Sequence, residues 1–107
     1  MQREEAFDEA LYADCSPEDR MLGHLLLTPE PLAPSLTAAK LTPERYGRVP
    51  RTYIELAKDR AVTPALQRAM YTRVACEQVL SLAASHSAYF SKPDELSALI
   101  DGLVRQR

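Results

Sequence analysis

Two residues in the second half of the chain, Asp59 and His86, have the chemistry of a catalytic acid–base pair. Each follows a stretch of sequence that is typical of a buried parallel strand, and the carboxyl ends of parallel strands meet at one edge of a sheet. A carboxylate can hold an imidazole in one tautomer, and the imidazole can then take a proton from a hydroxyl nucleophile. The sequence therefore predicts that these two side chains act together.

The nucleophile that such a pair would activate is harder to find. Its usual setting is a sharp strand-to-helix turn of the pattern Gly-x-Ser-x-Gly, and none of the three glycines flanks a serine in this way. Four serines remain as alternatives: Ser16, Ser81, Ser85 and Ser87. Ser16 is better explained as a helix cap, and neighbours of His86 in the chain rarely point a hydroxyl at its ring. The sequence leaves the nucleophile unassigned.

The strands that must position this pair belong to a β-α-β-α pattern in the second half of the chain. β-Rich residues occupy 52–56 and 79–82, and a helix that opens at Pro64 lies between them. A parallel strand pair joined by a helix should cross over right-handed. We therefore expect an α/β fold, with a helical segment over residues 1–47 and a core over residues 48–107.

The spacing of apolar residues predicts which helix faces are buried. In the crossover helix the inward residues should be Leu66, Met70 and Val74. Residues 91–95 should cap the last helix, which is expected to bury Leu96, Leu99, Ile100 and Leu103. In the first half, Ser16 should cap a helix against which Leu32, Leu36 and Leu41 pack, and residues 42–47 should form a capped turn that ends at glycine.

The composition is that of an ordinary globular domain, with 107 residues of which 46% are hydrophobic and 26% charged. A net charge of -2 gives no reason to expect a nucleic-acid partner. No apolar run is long enough to span a membrane, and the charged N-terminus lacks the apolar core of a secretory signal. Cys15 and Cys76 are expected to be reduced thiols, which favours a cytoplasmic location. No cofactor or metal site is predicted.

The segment from Arg48 onward resembles the C-terminal part of α/β-hydrolases of the plant methylesterase and hydroxynitrile lyase group, including their bacterial esterase relatives. The matching stretches are Val-Pro-Arg-Thr-Tyr-Ile at 49–54, Asp-Arg-Ala at 59–61, Pro-Ala-Leu-Gln-Arg-Ala-Met at 64–70 and Ser-His-Ser-Ala-Tyr-Phe-Ser-Lys-Pro-Asp-Glu-Leu at 85–96. Residues 12–31 also resemble the end of the helical cap of that family. The resemblance implies a partial α/β-hydrolase, in which short parallel strands with crossover helices follow a cap segment.

Carried over to these positions, the resemblance implies that Asp59 is the triad acid and His86 the general base of a serine-type carboxylic ester hydrolase that acts on short apolar esters. The family's nucleophile elbow precedes its cap, and this chain begins inside the cap. The resemblance therefore implies a serine that is unconventional, supplied by another chain, or lost. Ser87 stands where the hydroxynitrile lyase branch has a lysine, which favours the esterase branch.

An apolar stripe on the cap helix and one aromatic residue near His86 are the candidates to line a substrate pocket: Met21, Leu22, Leu25, Leu26 and Phe90. Such a stripe more often packs on a core, and His24 within it is expected to have a packing or surface role.

The alternative function is non-enzymatic: an inactive, truncated hydrolase that serves as a binding or dimerisation module. Two strands alone form a poor sheet with a bare edge. We therefore expect either a homo-oligomer or a complementing chain that completes the sheet.

Overall fold

The structure is a computed structural model, and it describes residues 4–106. In chain order the elements are α1 (Glu4–Ala10), α2 (Pro17–Leu26), α3 (Ala33–Leu36), a 3₁₀ turn (Tyr46–Arg48), β1 (Thr52–Leu56), α4 (Pro64–Arg73), β2 (Gln78–Leu82), α5 (Ala88–Ser91) and α6 (Pro93–Arg105). None of the helices in the described range has the length and apolar character required to cross a bilayer. The fold class is α/β, as predicted.

The two strands lie side by side and run parallel, in a register that pairs Thr52 with Gln78 and Leu56 with Leu82. α4 connects them, so the predicted β-α-β arrangement is confirmed, and β2 begins one residue earlier than expected. The sheet formed by residues 4–106 consists of this strand pair. One edge of each strand is therefore left without a strand partner in the described part of the chain.

The core lies beside the end of β2, under the loop that carries His86. Leu82, Ala84 and Ala88 are its buried members, and four half-buried residues pack against them: Ile54, Leu56, Leu96 and Leu99. Of the residues predicted to be buried on the last helix, Leu96 and Leu99 pack against this core but are half-buried, Leu103 is also half-buried, and Ile100 is 49% exposed. The N-cap of α6 is Lys92, and its side chain makes no capping hydrogen bond.

The prediction for α4 was wrong about which face is buried. Leu66, Met70 and Val74 are all exposed, whereas Gln67 is 1% exposed. α4 turns Gln67 towards the end of β1, where backbone groups satisfy its amide. A polar side chain can occupy an interior position when all its hydrogen-bonding groups have partners, and apolar spacing alone does not detect this.

Two predictions for the first half were also wrong. Leu32, Leu36 and Leu41 are exposed and do not pack into a buried cluster with α2. Gly47 does not end the turn over residues 42–47, because it is the middle residue of the 3₁₀ turn. The turn is capped as predicted, because Thr42 Oγ1 accepts from Arg45 N at 3.2 Å and Thr42 O accepts from Gly47 N at 3.0 Å.

The start of α2 follows the prediction. The Ser16 hydroxyl accepts a hydrogen bond from the Asp19 amide at 3.1 Å, Pro17 occupies the first helical position, and two acids lie in the first turn. Each feature stabilises the amino end of a helix. Further along α2, Gly23 is buried and packs closely against Tyr12. A Cβ atom at this position would lie 2.6 Å from the Tyr12 Cζ atom.

Gly23→Ala is therefore expected to destabilise the protein by about 1–3 kcal/mol, because the added methyl group must displace a tyrosine that is itself buried. Gly102→Ala is the matched control, since Gly102 lies in α6 with no atom within 4 Å of the added Cβ. The free energy of unfolding of the control should rise by about 0.5–1 kcal/mol, because alanine has a higher helix propensity than glycine. Urea unfolding of both variants measures the difference, and equal gains in the two would contradict the close contact.

Candidate active site

The ends of β1 and β2 place Asp59 and His86 side by side. Beyond the strands, Ala57 N donates to Leu82 O and Lys58 N donates to Ala84 O, both at 3.0 Å, so the two loops leave the sheet together. His86 Nδ1 lies 3.0 Å from Asp59 Oδ2 and 3.2 Å from Asp59 Oδ1. The structure thus brings together the two side chains that the sequence singled out.

Asp59 is held in a fixed orientation by its own loop. The residue is 5% exposed, and its Oδ1 accepts hydrogen bonds from Ala61 N at 2.8 Å and Val62 N at 3.0 Å. A buried carboxylate needs such partners to offset the loss of water. The two amides leave Oδ2 directed at the imidazole, which is the arrangement required to orient a histidine.

Gln67 anchors both ends of the loop that carries Asp59. Its Oε1 accepts from Leu56 N at 2.8 Å, and its Nε2 donates to Leu56 O at 2.9 Å and to Val62 O at 2.8 Å. Leu56 lies before Asp59 and Val62 after it, so one side chain fixes the width of the loop. Sequence reasoning did not identify Gln67 as a supporting residue, although it lies within the matching stretch 64–70.

Gln67→Leu is expected to lower the free energy of unfolding by about 2–4 kcal/mol, because the backbone groups Leu56 N and Val62 O lose the partner that the amide provides, and Leu56 O keeps only its bond from Asp59 N. Gln106→Leu makes the same chemical change at an exposed position near the end of the chain, and it should have little effect. Urea denaturation compares the two. If Gln67→Leu is no more destabilising than Gln106→Leu, the buried amide does not secure the loop.

His86 presents one ring nitrogen to Asp59 and leaves the other available. Its side chain is 36% exposed, against 3% for Asp59. With the Nδ1 proton donated to Asp59, Nε2 keeps its lone pair on the opposite side of the ring, where it can accept a proton. The residues on either side, Ser85 and Ser87, are buried and fix the backbone at this position.

Asp14, which sequence reasoning did not single out, binds the residue before His86. Ser85 N donates to Asp14 Oδ2 at 2.9 Å, and the Ser85 hydroxyl makes a short hydrogen bond to Asp14 Oδ1. Burial would raise the pKa of Asp14, but the hydrogen bonds from Ser85 outweigh it and lower that pKa below its usual value. Asp14 is therefore an ionised acceptor at neutral pH.

The serines considered as nucleophiles have other positions or partners. Ser85 is bound to Asp14, Ser16 caps α2, and Ser87 is 1% exposed. Ser81 is an exposed residue of β2, in register with Glu55 of β1. The expected packing role of His24 agrees with its contacts, because its Nε2 lies 2.8 Å from an Asp8 carboxylate oxygen and its ring meets Tyr12 edge-on.

The residues predicted to line a substrate pocket have the following exposure. Met21, Leu25 and Leu26 are at least 65% exposed, and Leu22 is also exposed, while Phe90 is half-buried with its ring 6.1 Å from that of Tyr12. A cavity of about 530 Å³ lies at the start of β1, at the opposite end of the strand from Asp59. The substrate-binding role of these five residues therefore stays a prediction.

Metal-ligating groups are dispersed within the described residues. No set of three or more His, Cys, Asp or Glu side chains in residues 4–106 is grouped so that it could hold a metal ion. Cys15 and Cys76 are both free thiols, the first of them buried. Burial raises the pKa of the Cys15 thiol, together with the nearby charges of Asp14 and Asp19.

Known proteins provide a sequence match over most of the chain. No protein-family model matches it. It is 34% identical over 94 residues to putative methylesterase 14, chloroplastic, of Arabidopsis thaliana, a match that covers 86% of this chain and 27% of the relative. It is 36% identical over 95 residues to methylesterase 17 of the same plant, covering 84% of this chain and 34% of the relative. The chain thus spans about a third or less of the length of these relatives.

Solved structures match the fold of the chain. A methylesterase from Arabidopsis superposes with a TM-score of 0.90 at 29% identity, over 100% of this chain and 46% of that one. Polyneuridine aldehyde esterase superposes with a TM-score of 0.83 at 27% identity, over 92% of this chain and 40% of that one. Sequence and fold therefore agree: the chain has part of an α/β-hydrolase fold and is similar over most of its length to plant methylesterases.

Proposed function

We propose that this chain provides the acid and the base of a serine-type carboxylic ester hydrolase. The observation that carries the proposal is the Asp59–His86 pair, in which a buried and doubly anchored carboxylate holds one nitrogen of a partly exposed imidazole. The names of its relatives, which are methylesterases and an esterase, support the ester class. Short apolar esters are the proposed substrates.

In the proposed reaction, His86 Nε2 takes the proton of a serine hydroxyl while the serine oxygen attacks the ester carbonyl carbon. Asp59 keeps the Nδ1 proton in place and stabilises the imidazolium that forms. When the tetrahedral intermediate collapses, Nε2 returns the proton to the departing alkoxide, which leaves as an alcohol. Water then attacks the acyl-serine by the same route, and a carboxylic acid is released.

The serine is proposed to come from a complementing chain that completes the sheet. The strand pair has free edges within the described residues, and α4 exposes large apolar side chains such as Leu66 and Met70 beside it. A sheet edge with apolar neighbours is suited to receive further strands. In addition, Ser16 and Ser85 are already engaged in structural hydrogen bonds.

Affinity purification of the tagged chain from the cells that produce it, followed by an ester assay, tests this proposal. p-Nitrophenyl acetate should be hydrolysed, and a fluorophosphonate should label one serine, whose peptide can be mapped. The label is expected on a Gly-x-Ser-x-Gly peptide of a partner chain. The absence of both turnover and labelling would contradict the proposal.

The second candidate is a catalytically inactive binding or dimerisation module. It is favoured by the exposure of large apolar residues along the first half of the chain, such as Met21, Leu25 and Leu36. Large apolar side chains that are left exposed can mark an interaction site. Light scattering together with the ester assay distinguishes the two candidate functions. An inactive homodimer supports the module, whereas an active complex with a second polypeptide supports the esterase.

A further inference from the structure

We propose that Asp14 is a positioning residue for His86, acting from the helical segment across the chain. This role rests on the proposed function, because it gives Asp14 a purpose in orienting the general base. Asp14 itself touches Ser85 and not the imidazole. Asp14 would thus affect how the base is held, which can be measured without turnover.

The backbone on both sides of His86 is tied to one turn between α1 and α2. Before His86, the Ser85 amide and hydroxyl both donate to the carboxylate of Asp14, which lies 71 positions away in sequence. After His86, the Ser87 amide donates to Leu11 O at 3.2 Å. Two hydrogen-bonded neighbours leave the residue between them little freedom to shift.

The turn that carries Asp14 is itself braced. Arg20 of α2 donates from Nε to Tyr12 O at 3.2 Å and from a terminal guanidinium nitrogen to Ala13 O at 3.1 Å. Tyr12 is 3% exposed and packs against Gly23. α2 therefore holds the two residues before Asp14, and Asp14 passes that constraint to the histidine loop.

Removal of the Asp14 carboxylate would leave the Ser85 amide and hydroxyl without their acceptor in a residue that is 0% exposed. A buried donor without a partner is costly, so the loop would move to satisfy it. His86 lies next in the chain, and a small displacement of a catalytic base has a large effect on rate. The carboxylate thus positions the base without touching the reacting atoms.

Nitrogen NMR of the imidazole rings tests the inference directly, since the chain contains two histidines. In the wild-type protein His86 should be held as the Nδ1–H tautomer. Asp14→Ala should shift His86 towards the tautomer mixture of a free imidazole, and Asp14→Asn, which keeps one oxygen acceptor, should restore much of the ordering. The signals of His24, which is held by Asp8, provide an internal reference.

Asp94→Ala is the matched control, because it removes an exposed carboxylate from the first turn of α6. It should leave the His86 tautomer unchanged. Unchanged His86 signals in a folded Asp14→Ala variant would overturn the inference. If Asp14→Ala does not fold, Ser85→Ala decides, because it removes the hydroxyl that Asp14 binds: a shift of the His86 signals towards the free-imidazole mixture supports the role, and wild-type signals contradict it.

Ester turnover provides a second, independent measurement. Asp14→Ala should lower kcat by about 10- to 100-fold with KM little changed, because the base is displaced while the substrate site is not. A rise in KM with an unchanged kcat would contradict the positioning role. Absence of turnover in the wild-type protein, together with the expected tautomer shift, would reject the proposed function and still support the placement of His86 by Asp14.

Discussion

Asp59→Asn is expected to lower kcat for an ester substrate by about 10⁴-fold while the protein stays folded. Asparagine has the shape of aspartate, and its oxygen can still accept from Ala61 N and Val62 N, which hold the loop. Its amide nitrogen would then face His86 Nδ1 as a donor. The imidazole must place its proton on Nε2 to accept that hydrogen bond, so it can no longer act as the base.

Initial rates with p-nitrophenyl acetate measure the loss, and circular dichroism confirms folding. Asp101→Asn is the control, since Asp101 is an exposed acid of α6 that pairs with Arg105. It should retain the wild-type rate. A variant Asp59→Asn that keeps full activity would show that the carboxylate at this position does not orient the base.

His86→Ala is expected to have the largest effect, with a loss in kcat of about 10⁴-fold or more, because it removes the group proposed to take the serine proton. The imidazole is partly exposed, so its removal leaves an opening that reaches solvent. Added free imidazole should therefore restore part of the rate. Replacing the second histidine in His24→Ala provides the matched control.

The control is informative because His24 also lies beside a carboxylate, with Nε2 2.8 Å from Asp8 Oδ1. The two histidine–carboxylate pairs thus have similar contacts but different settings. His86 lies at the end of the sheet, whereas His24 of α2 pairs with Asp8 of α1. Loss of activity in His24→Ala equal to that in His86→Ala would contradict the assignment of the base. Retained activity in His24→Ala is the expected result.

The strand pair and the contact between Asp59 and His86 could be predicted from sequence because both depend on local patterns. β-Rich runs separated by a capped helix predict a parallel pair, and residues that follow parallel strands meet at one edge. The resemblance to methylesterases is the basis for the roles proposed for Asp59 and His86, which composition and spacing alone could not provide. The structure places these side chains 3.0 Å apart.

Gln67 and Asp14 could not be predicted because their importance depends on partners distant in sequence. Hydropathy assigns an amide to the surface, whereas the backbone of β1 and of the Asp59 loop satisfies Gln67 in the interior. The Asp14–Ser85 contact joins the two halves of the chain, and no periodic pattern encodes it. Both residues support the site without belonging to its reactive part.

The apolar helix faces were predicted incorrectly for a different reason. Spacing can show that Leu66, Met70 and Val74 share a helix face, but it cannot show what covers that face. In the structure these residues are exposed, as are Leu32 and Leu36. The rule that assigns apolar stripes to a core assumes that neighbouring elements cover them, and residues 4–106 do not provide that cover.

A double-mutant cycle on Asp59 and His86 tests most directly whether the two residues work as one unit. We expect the double variant, Asp59→Asn with His86→Ala, to be no slower than His86→Ala alone, because Asp59 acts only through the histidine. The measurement is kcat/KM for p-nitrophenyl acetate in the wild type, both single variants and the double variant. Losses that multiply in the double variant, or a His86→Ala variant as active as the wild type, would contradict the acid–base pair.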